Sequence, residues 1–258
     1  MHGKKAIFYY SISFFTVAII IIIWSLISYC NLMEDIVLPS PMMVLFAFID
    51  LIVNGYRGSS LWCHWGVSLI RIIVSLILAI IIAVPLGLLT GLNKTIHAIF
   101  NPFINFLKPL PPLGYYSILI LWCGIGELSK ISLLFLSAVV PLFLATNNAV
   151  AKIPQDFILS AKISGANKKE LFYKVIFPYC LTDIFLGIRL ALGASYSTLV
   201  AAEMVAAKSG IGWLVLDASK FVKTDVVFVG VVLIGLTGLV LDYLLVTIKN
   251  KIVFWDGK

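Results

Sequence analysis

Charge is scarce in this chain. Only 12% of its 258 residues are Asp, Glu, Lys or Arg, about half the share of an ordinary soluble domain. Histidine is scarcer still, with three copies. His64 and His97 stand apart, so no metal-binding cluster is legible and no metal is expected. Cys30, Cys63, Cys123 and Cys180 form no C-x-x-C pair, which leaves no zinc or redox motif. Two readings stand for them: free thiols acting as small hydrophobes in lipid, or a bridge between Cys30 and Cys63. A phosphate-cradling G-x-x-x-x-G-K-[ST] run is missing, because Gly91-Leu92-Asn93-Lys94-Thr95 has the wrong spacing and no strand before it. Neither H-E-x-x-H nor a Ser-His-Asp constellation is legible, so an enzyme is not expected. What fills the chain instead is hydrocarbon, at 61% hydrophobic residues and a mean hydropathy of +1.08. These values exclude disorder and a water-soluble core.

A membrane-crossing helix needs about 20 mostly apolar residues, and the sequence offers six such runs: 6–29, 65–92, 98–122, 131–150, 181–205 and 226–248. The expected fold is all-α and polytopic, one transmembrane domain over residues 1–258, with a first helix at 6–30 and a core at 64–250. Trp24 and Tyr29 suit an interface at the far end of the first run. Lys4 and Lys5 precede that run as in a signal peptide, but the run exceeds a 7–15 residue apolar region and no A-x-A site comes after it. Between the first two runs, Leu38-Pro39-Ser40-Pro41 opens a short apolar helix within 38–55 that suits the interface. In the third run, Pro109-Leu110-Pro111-Pro112 breaks the helix, since each proline lacks an N–H and disfavours α geometry in its predecessor. Broken backbone at membrane depth faces protein or a watery cavity. Pro111 and Pro112 are therefore candidate pathway residues, with Lys108 beside them.

With both termini inside, the inner segments hold eleven basic residues: Lys4, Lys5, Lys94, Lys152, Lys162, Lys168, Lys169, Lys174, Lys249, Lys251 and Lys258. The outer segments hold four, Arg57, Lys208, Lys220 and Lys223, while Arg71, Lys108, Lys130 and Arg189 fall in or at the ends of spans. Inner loops favour Lys and Arg, so this orientation is expected. The net charge of +7 is then a consequence of topology, and no nucleic-acid partner is expected.

The one substantial inner loop is 151–177. Pro154 suits a first helical turn, and a helix is expected from Asp156 to Ser164, with Phe157, Ile158 and Ala161 on one face. Gly165 ends it. Asn167 is an N-cap with Glu170 three residues later, close to a capping box, so a second helix starts at Lys168. Such a feature is either a docking element or a charged loop that only holds orientation.

The run Leu159-Ser160-Ala161-Lys162-Ile163-Ser164-Gly165-Ala166, with Ile176-Phe177-Pro178 after it, resembles the "EAA" loop of ABC importer permeases. Ala161, Gly165 and Pro178 match that pattern, while Leu159 and Ser160 replace its Glu and first Ala. Lys108-Pro109-Leu110-Pro111-Pro112-Leu113, Trp122 to Glu127 and Gly187 to Gly193 are similar to the nitrate/sulfonate/taurine branch. So are Ser197 to Met204, Thr224-Asp225-Val226-Val227 and the Trp255-Asp256-Gly257 tail, the Ser197 run resembling the taurine members most.

The resemblance implies the type I ABC importer permease fold in a bacterial cytoplasmic (inner) membrane. It also implies transport of taurine or a related alkanesulfonate by alternating access. Nitrate, bicarbonate or a pyrimidine precursor is the alternative cargo. The implied partners are a second permease copy, two cytoplasmic ATPases that carry the ATP and magnesium, an external substrate-binding protein, and lipid. No cofactor is expected on this chain. A stand-alone secondary carrier is the rival class, although such carriers show paired broken helices and only one is legible here. The residues implied for ATPase coupling are Leu159, Ser160, Ala161, Lys162, Gly165, Ala166, Glu170 and Pro178.

Beyond the prolines, the candidate pathway residues are Asn147, Arg189, Ser197 and Glu203. Arg189 lies near mid-span, where an unpaired charge costs about 2.5–3.5 kcal/mol. It either meets a sulfonate, which suits a guanidinium, or forms an internal ion pair. Glu203 either anchors or gates helices or is solvated at the outer interface. Asn147 either lines the path or bonds between helices. Asp183 and Asp242 are expected to be solvated or paired with lysines. The Gly87/Gly91 step and Gly187 and Gly193 are expected at close helix contacts, within one chain or between copies.

Overall fold

Caps and helix breakers divide the chain into helices. The computed structural model describes residues 2–255, without side chains for 2–11, 13 and 14. The Lys4 and Lys5 side chains, and Asp256, Gly257 and Lys258 of the tail, lie outside the described residues. Helix α1 (His2–Tyr29) holds the first expected crossing. Helix α2 (Pro41–Val53) starts where Ser40 accepts the Met43 N–H at 3.2 Å and Pro41 takes the first turn. Helix α3 (Leu61–Leu92) ends just before Asn93, whose Oδ1 caps Thr95 and Ile96 of α4 (Lys94–Leu107). The break expected in the third crossing is present. Residues Pro112–Tyr115 make a 3₁₀ turn before α5 (Tyr116–Cys123) resumes the helix.

Helix α6 (Glu127–Ala151) leads to α7 (Gln155–Ile163) and the short α8 (Lys168–Leu171). A π-helical turn at Phe172–Ile176 runs straight into α9 (Phe177–Ala206). Helices α10 (Ile211–Lys220) and α11 (Thr224–Ile252) complete the chain. Hydropathy places the α10 segment in an outer loop, yet its Leu214 and Ala218 are fully buried. Among the described residues the only β contact is an isolated bridge between Tyr56 and Ser59. Among the described residues, four helical stretches are long and apolar enough to cross a membrane: Leu61–Leu92, Glu127–Ala151, Lys168–Ala206 and Thr224–Ile252.

The chain forms two compact units. The first comprises Met1–His64 and Leu214–Leu233. In it the Trp24 indole donates to the Pro39 carbonyl at 2.9 Å and stacks on Phe228 at 5.7 Å between centroids. The Tyr56 hydroxyl and Arg57 Nε both donate to Asp217 Oδ2 at 2.9 Å, and the Arg57 guanidinium lies 4.2 Å above the Phe221 ring. Burial, with the Asp217 carboxylate adding to it, pushes the Tyr56 hydroxyl up to about 12. All four cysteines are free, so the Cys30–Cys63 bridge does not form.

The second unit comprises Trp65–Trp213 and Ile234–Lys258. Its core lies where α6 packs on α9, with Ala138, Leu142, Ala149, Cys180 and Ala191 excluded from solvent. The α3 glycine step lets this helix approach α6 within the same chain. A Cβ at Gly87 would lie 2.7 Å from the Thr146 Cβ, and one at Gly91 2.6 Å from the Val150 Cβ. Gly193, by contrast, faces open space.

Candidate functional site

The loop resembling the EAA element is a rigid, exposed elbow. Helix α7 ends in a Schellman motif, with the Ala166 N–H on the Ala161 carbonyl and the Gly165 N–H on the Lys162 carbonyl, both at 3.0 Å. Gly165 takes φ +83°, which only glycine adopts without strain. The expected capping box forms in full: Asn167 Oδ1 accepts from the Glu170 N–H at 2.9 Å, and Glu170 Oε2 accepts from the Asn167 N–H at 3.1 Å. Glu170 also pairs with Lys174 at 3.2 Å.

The turn after α8 is not legible in the sequence. Pro178 has no N–H to give the Lys174 carbonyl, and its ring crowds the preceding turn. The helix therefore widens, and the Phe177 N–H reaches back to the Phe172 carbonyl. Helices α8 and α9 are thereby one continuous rod. Ile158, Leu171 and Phe172 pack the elbow onto the core. Leu159, Ser160, Lys162 and Gly165 remain exposed, Ala161, Ala166, Glu170 and Pro178 are partly covered, and Ile163 stands out at 86% exposure.

The candidate pathway residues do not gather in one place. Glu203 is buried rather than solvated. Its Oε1 accepts from Ser68 and from Arg71 Nη1, each at 2.7 Å, and its Oε2 accepts from the Gly212 N–H at 2.9 Å. Gly210 is required beside it, because a Cβ there would collide with the carboxylate. Arg71 also clasps Glu127 through Nε at 2.6 Å and Nη2 at 2.7 Å, and donates to the Ser209 carbonyl at 2.8 Å. Lys130 adds a 3.1 Å contact to Glu127. This group of two cations and two carboxylates ties α3, the start of α6, the end of α9 and the segment after it. Sequence reasoning misses the group, although a lone Arg inside an apolar run is a signal for it.

Arg189 takes the internal ion-pair role, and its partner corrects the expectation for Asp242. The guanidinium binds Asp242 through two bonds of 2.7 and 2.8 Å, so Asp242, whose side chain stays 43% exposed, is paired with an arginine and not with a lysine. Asp183 does pair with a lysine, Lys152, at 3.1 Å. Asn147 bonds between helices, 3.2 Å from His97 Nδ1. Ser197 is exposed and donates to the Gly193 carbonyl one turn back at 3.0 Å. At the helix break, Pro112 and Lys108 line a cleft of about 360 Å³ with Tyr115, Ser137, Pro141 and Ala194, while Pro111, the exposed N-cap of the 3₁₀ turn, does not line it.

Comparison with known proteins gives this geometry a family. The family described as "Binding-protein-dependent transport system inner membrane component" matches residues 75–253. The taurine transport system permease protein of Escherichia coli strain K12 is 33% identical, over 96% of this chain and 90% of the relative. A putative aliphatic sulfonates transport permease protein of Bacillus subtilis strain 168 is 31% identical, over 92% and 85%. The nitrate import permease protein of Synechocystis is 28% identical, over 92% and 87%. The fold is that of a solved chain from the MetNI methionine ABC transporter in inward-facing conformations, at TM-score 0.62 and 19% identity, covering 74% of this chain and 94% of that one. Helical architecture, exposed elbow and sequence thus converge: the chain belongs to the binding-protein-dependent transport system inner membrane components, as an ABC importer permease of the taurine, sulfonate and nitrate branch.

Proposed function

We propose that this chain carries taurine or a related small alkanesulfonate into the cytoplasm by alternating access. Two copies enclose the path, an external binding protein delivers the cargo, and two cytoplasmic ATPases supply the motion while holding the ATP and magnesium. Both termini lie inside, as the excess of Lys and Arg on the inner segments supports. The carrying observation is the elbow: an exposed, capped helix pair whose second arm is continuous with α9. A push on α7 reaches the membrane interior along that rod without crossing a flexible loop. The cargo is drawn from the 33% identity to the taurine permease, and the oxyanion group that taurine, sulfonates and nitrate have in common narrows the class. The coupling residues are Leu159, Ser160, Ala161, Lys162, Gly165, Ala166, Glu170 and Pro178.

The test is uptake of labelled taurine into proteoliposomes holding the permease with its ATPase and binding protein. Uptake that needs all three chains and ATP is expected. Exchange of taurine by the permease alone would identify a secondary carrier instead, and ATP-driven uptake of nitrate without taurine would move the cargo to the other side of the branch.

A further inference from the structure

Of the four basic residues that the sequence places in or at the ends of spans, three have carboxylate partners. Arg71 and Lys130 share Glu127, Arg71 also holds Glu203, and Arg189 binds Asp242. Lys108 differs. Among the described residues its ammonium has neither an ion pair nor a hydrogen bond. It comes directly after α4, whose 14 residues place it about 21 Å along the helix axis from the Lys94 end at ~1.5 Å per residue. The hydropathy reading sets it within the third expected crossing, 98–122, and so inside a hydrocarbon layer of about 30 Å. A lone ammonium there must face water or an anion.

The cleft it lines has the right form for the second. At about 360 Å³ it lies within the range of small-molecule sites. Leu107, Leu110, Val140 and Leu144 give apolar walls, and Tyr115 and Ser137 give hydroxyl groups. The Ser137 hydroxyl donates to the Leu134 carbonyl at 2.7 Å, which leaves its oxygen as an acceptor. A cation against apolar walls with a nearby acceptor suits a small molecule with an anionic head and a short polar tail. The C-terminal carbonyls of α4 favour a cation at this place as well, which holds Lys108 where the helix breaks but does not neutralise it.

We infer that the Lys108 ammonium is the anion-contacting group of the transport path, and that the helix-break cleft is an intramembrane subsite for the negatively charged head of the cargo. This rests on the sulfonate-importer reading above. Arg189, already clasped by Asp242, is not needed for that contact.

The test compares wild type, Lys108→Gln, Lys108→Met and Lys108→Arg in proteoliposomes with the ATPase and binding protein, using labelled taurine and labelled nitrate. The readout is cargo moved per ATP hydrolysed, in complexes matched for assembly by gel filtration. Both neutral variants are expected to move at least tenfold less taurine per ATP, while Lys108→Arg stays within about threefold of wild type. Two neutral variants within twofold of wild type would overturn the subsite. So would an arginine variant as defective as the neutral ones, because side-chain shape rather than charge would then matter. A wild-type complex that carries nitrate and not taurine overturns the sulfonate reading, and the same comparison run with nitrate still decides the subsite. One that carries neither cargo overturns both.

Discussion

Removing the Arg71 guanidinium would leave the Glu203 carboxylate, 1% exposed, with only the Ser68 hydroxyl and the Gly212 N–H among the described residues. Breaking one side of a buried ion pair costs about 3–5 kcal/mol. Arg71→Met is therefore expected to lower the melting temperature of the detergent-solubilised protein sharply, and Arg71→Met with Glu203→Met to recover much of the loss. A single variant that melts like wild type would contradict the role given to this cluster. Glu127, at 56% side-chain exposure, contributes less, because exposed pairs are worth about 0–1 kcal/mol.

Asp217 carries a pH prediction. Its burial works to raise its pKa, but the Arg57 and Tyr56 donors outweigh this and hold it below the usual carboxylate value. The stabilisation is thus present above the ordinary Asp pKa of about 3.9 and is lost as pH falls through the lower folded value. Acid should therefore destabilise wild type relative to Asp217→Asn, with the two converging only below that value. Hydropathy alone exposes the single charges but not their partners. Arg71 and Glu203 are 132 residues apart, and Arg189 and Asp242 are 53 apart. Nothing local specifies which carboxylate meets which guanidinium, which is why Asp242 reads as solvated or lysine-paired and Arg71 stays without a role until the fold is known.

At the scale of elements, local chemistry is legible wherever a cap or a breaker acts within a few residues. Asn167 with Glu170, Gly165, Ser40 with Pro41 and the proline run after Lys108 all act where expected. The continuity of α8 with α9 is not legible, because proline reads as a break and here only widens the helix by one residue. Helix α10 escapes hydropathy because Lys208, Asp217 and Lys220 dilute the signal around it, while its burial comes from tertiary packing. Gly165→Ala places a side chain at φ +83°, a strain of about 1–2 kcal/mol. It is expected to weaken ATPase attachment in a pull-down without reducing membrane insertion, and Gly165→Asn to do so less. The α3–α6 contact gives a second prediction. Gly91→Ala forces a Cβ against Val150, and overpacking of this kind costs about 1–3 kcal/mol. Thermal unfolding should show the loss, and Val150→Ala in the same chain should relieve it.

For the whole molecule, coupling requires that the elbow face the cytoplasm, since only there does an ATPase have access to it. The same orientation sets the Arg71 cluster and the elbow at opposite ends of α9, whose 30 residues span about 45 Å at ~1.5 Å each. A motion started at α7 is then available at the far mouth through one rod. The most direct measurement is labelling of Ser160→Cys, an exposed site on α7, with a membrane-impermeant thiol reagent, after Cys30, Cys63, Cys123 and Cys180 are replaced by serine. A cytoplasmic elbow predicts no labelling in intact cells, full labelling in inside-out vesicles, and protection there when the ATPase is bound. Labelling from the outside of intact cells, or labelling that bound ATPase leaves unchanged, would contradict it.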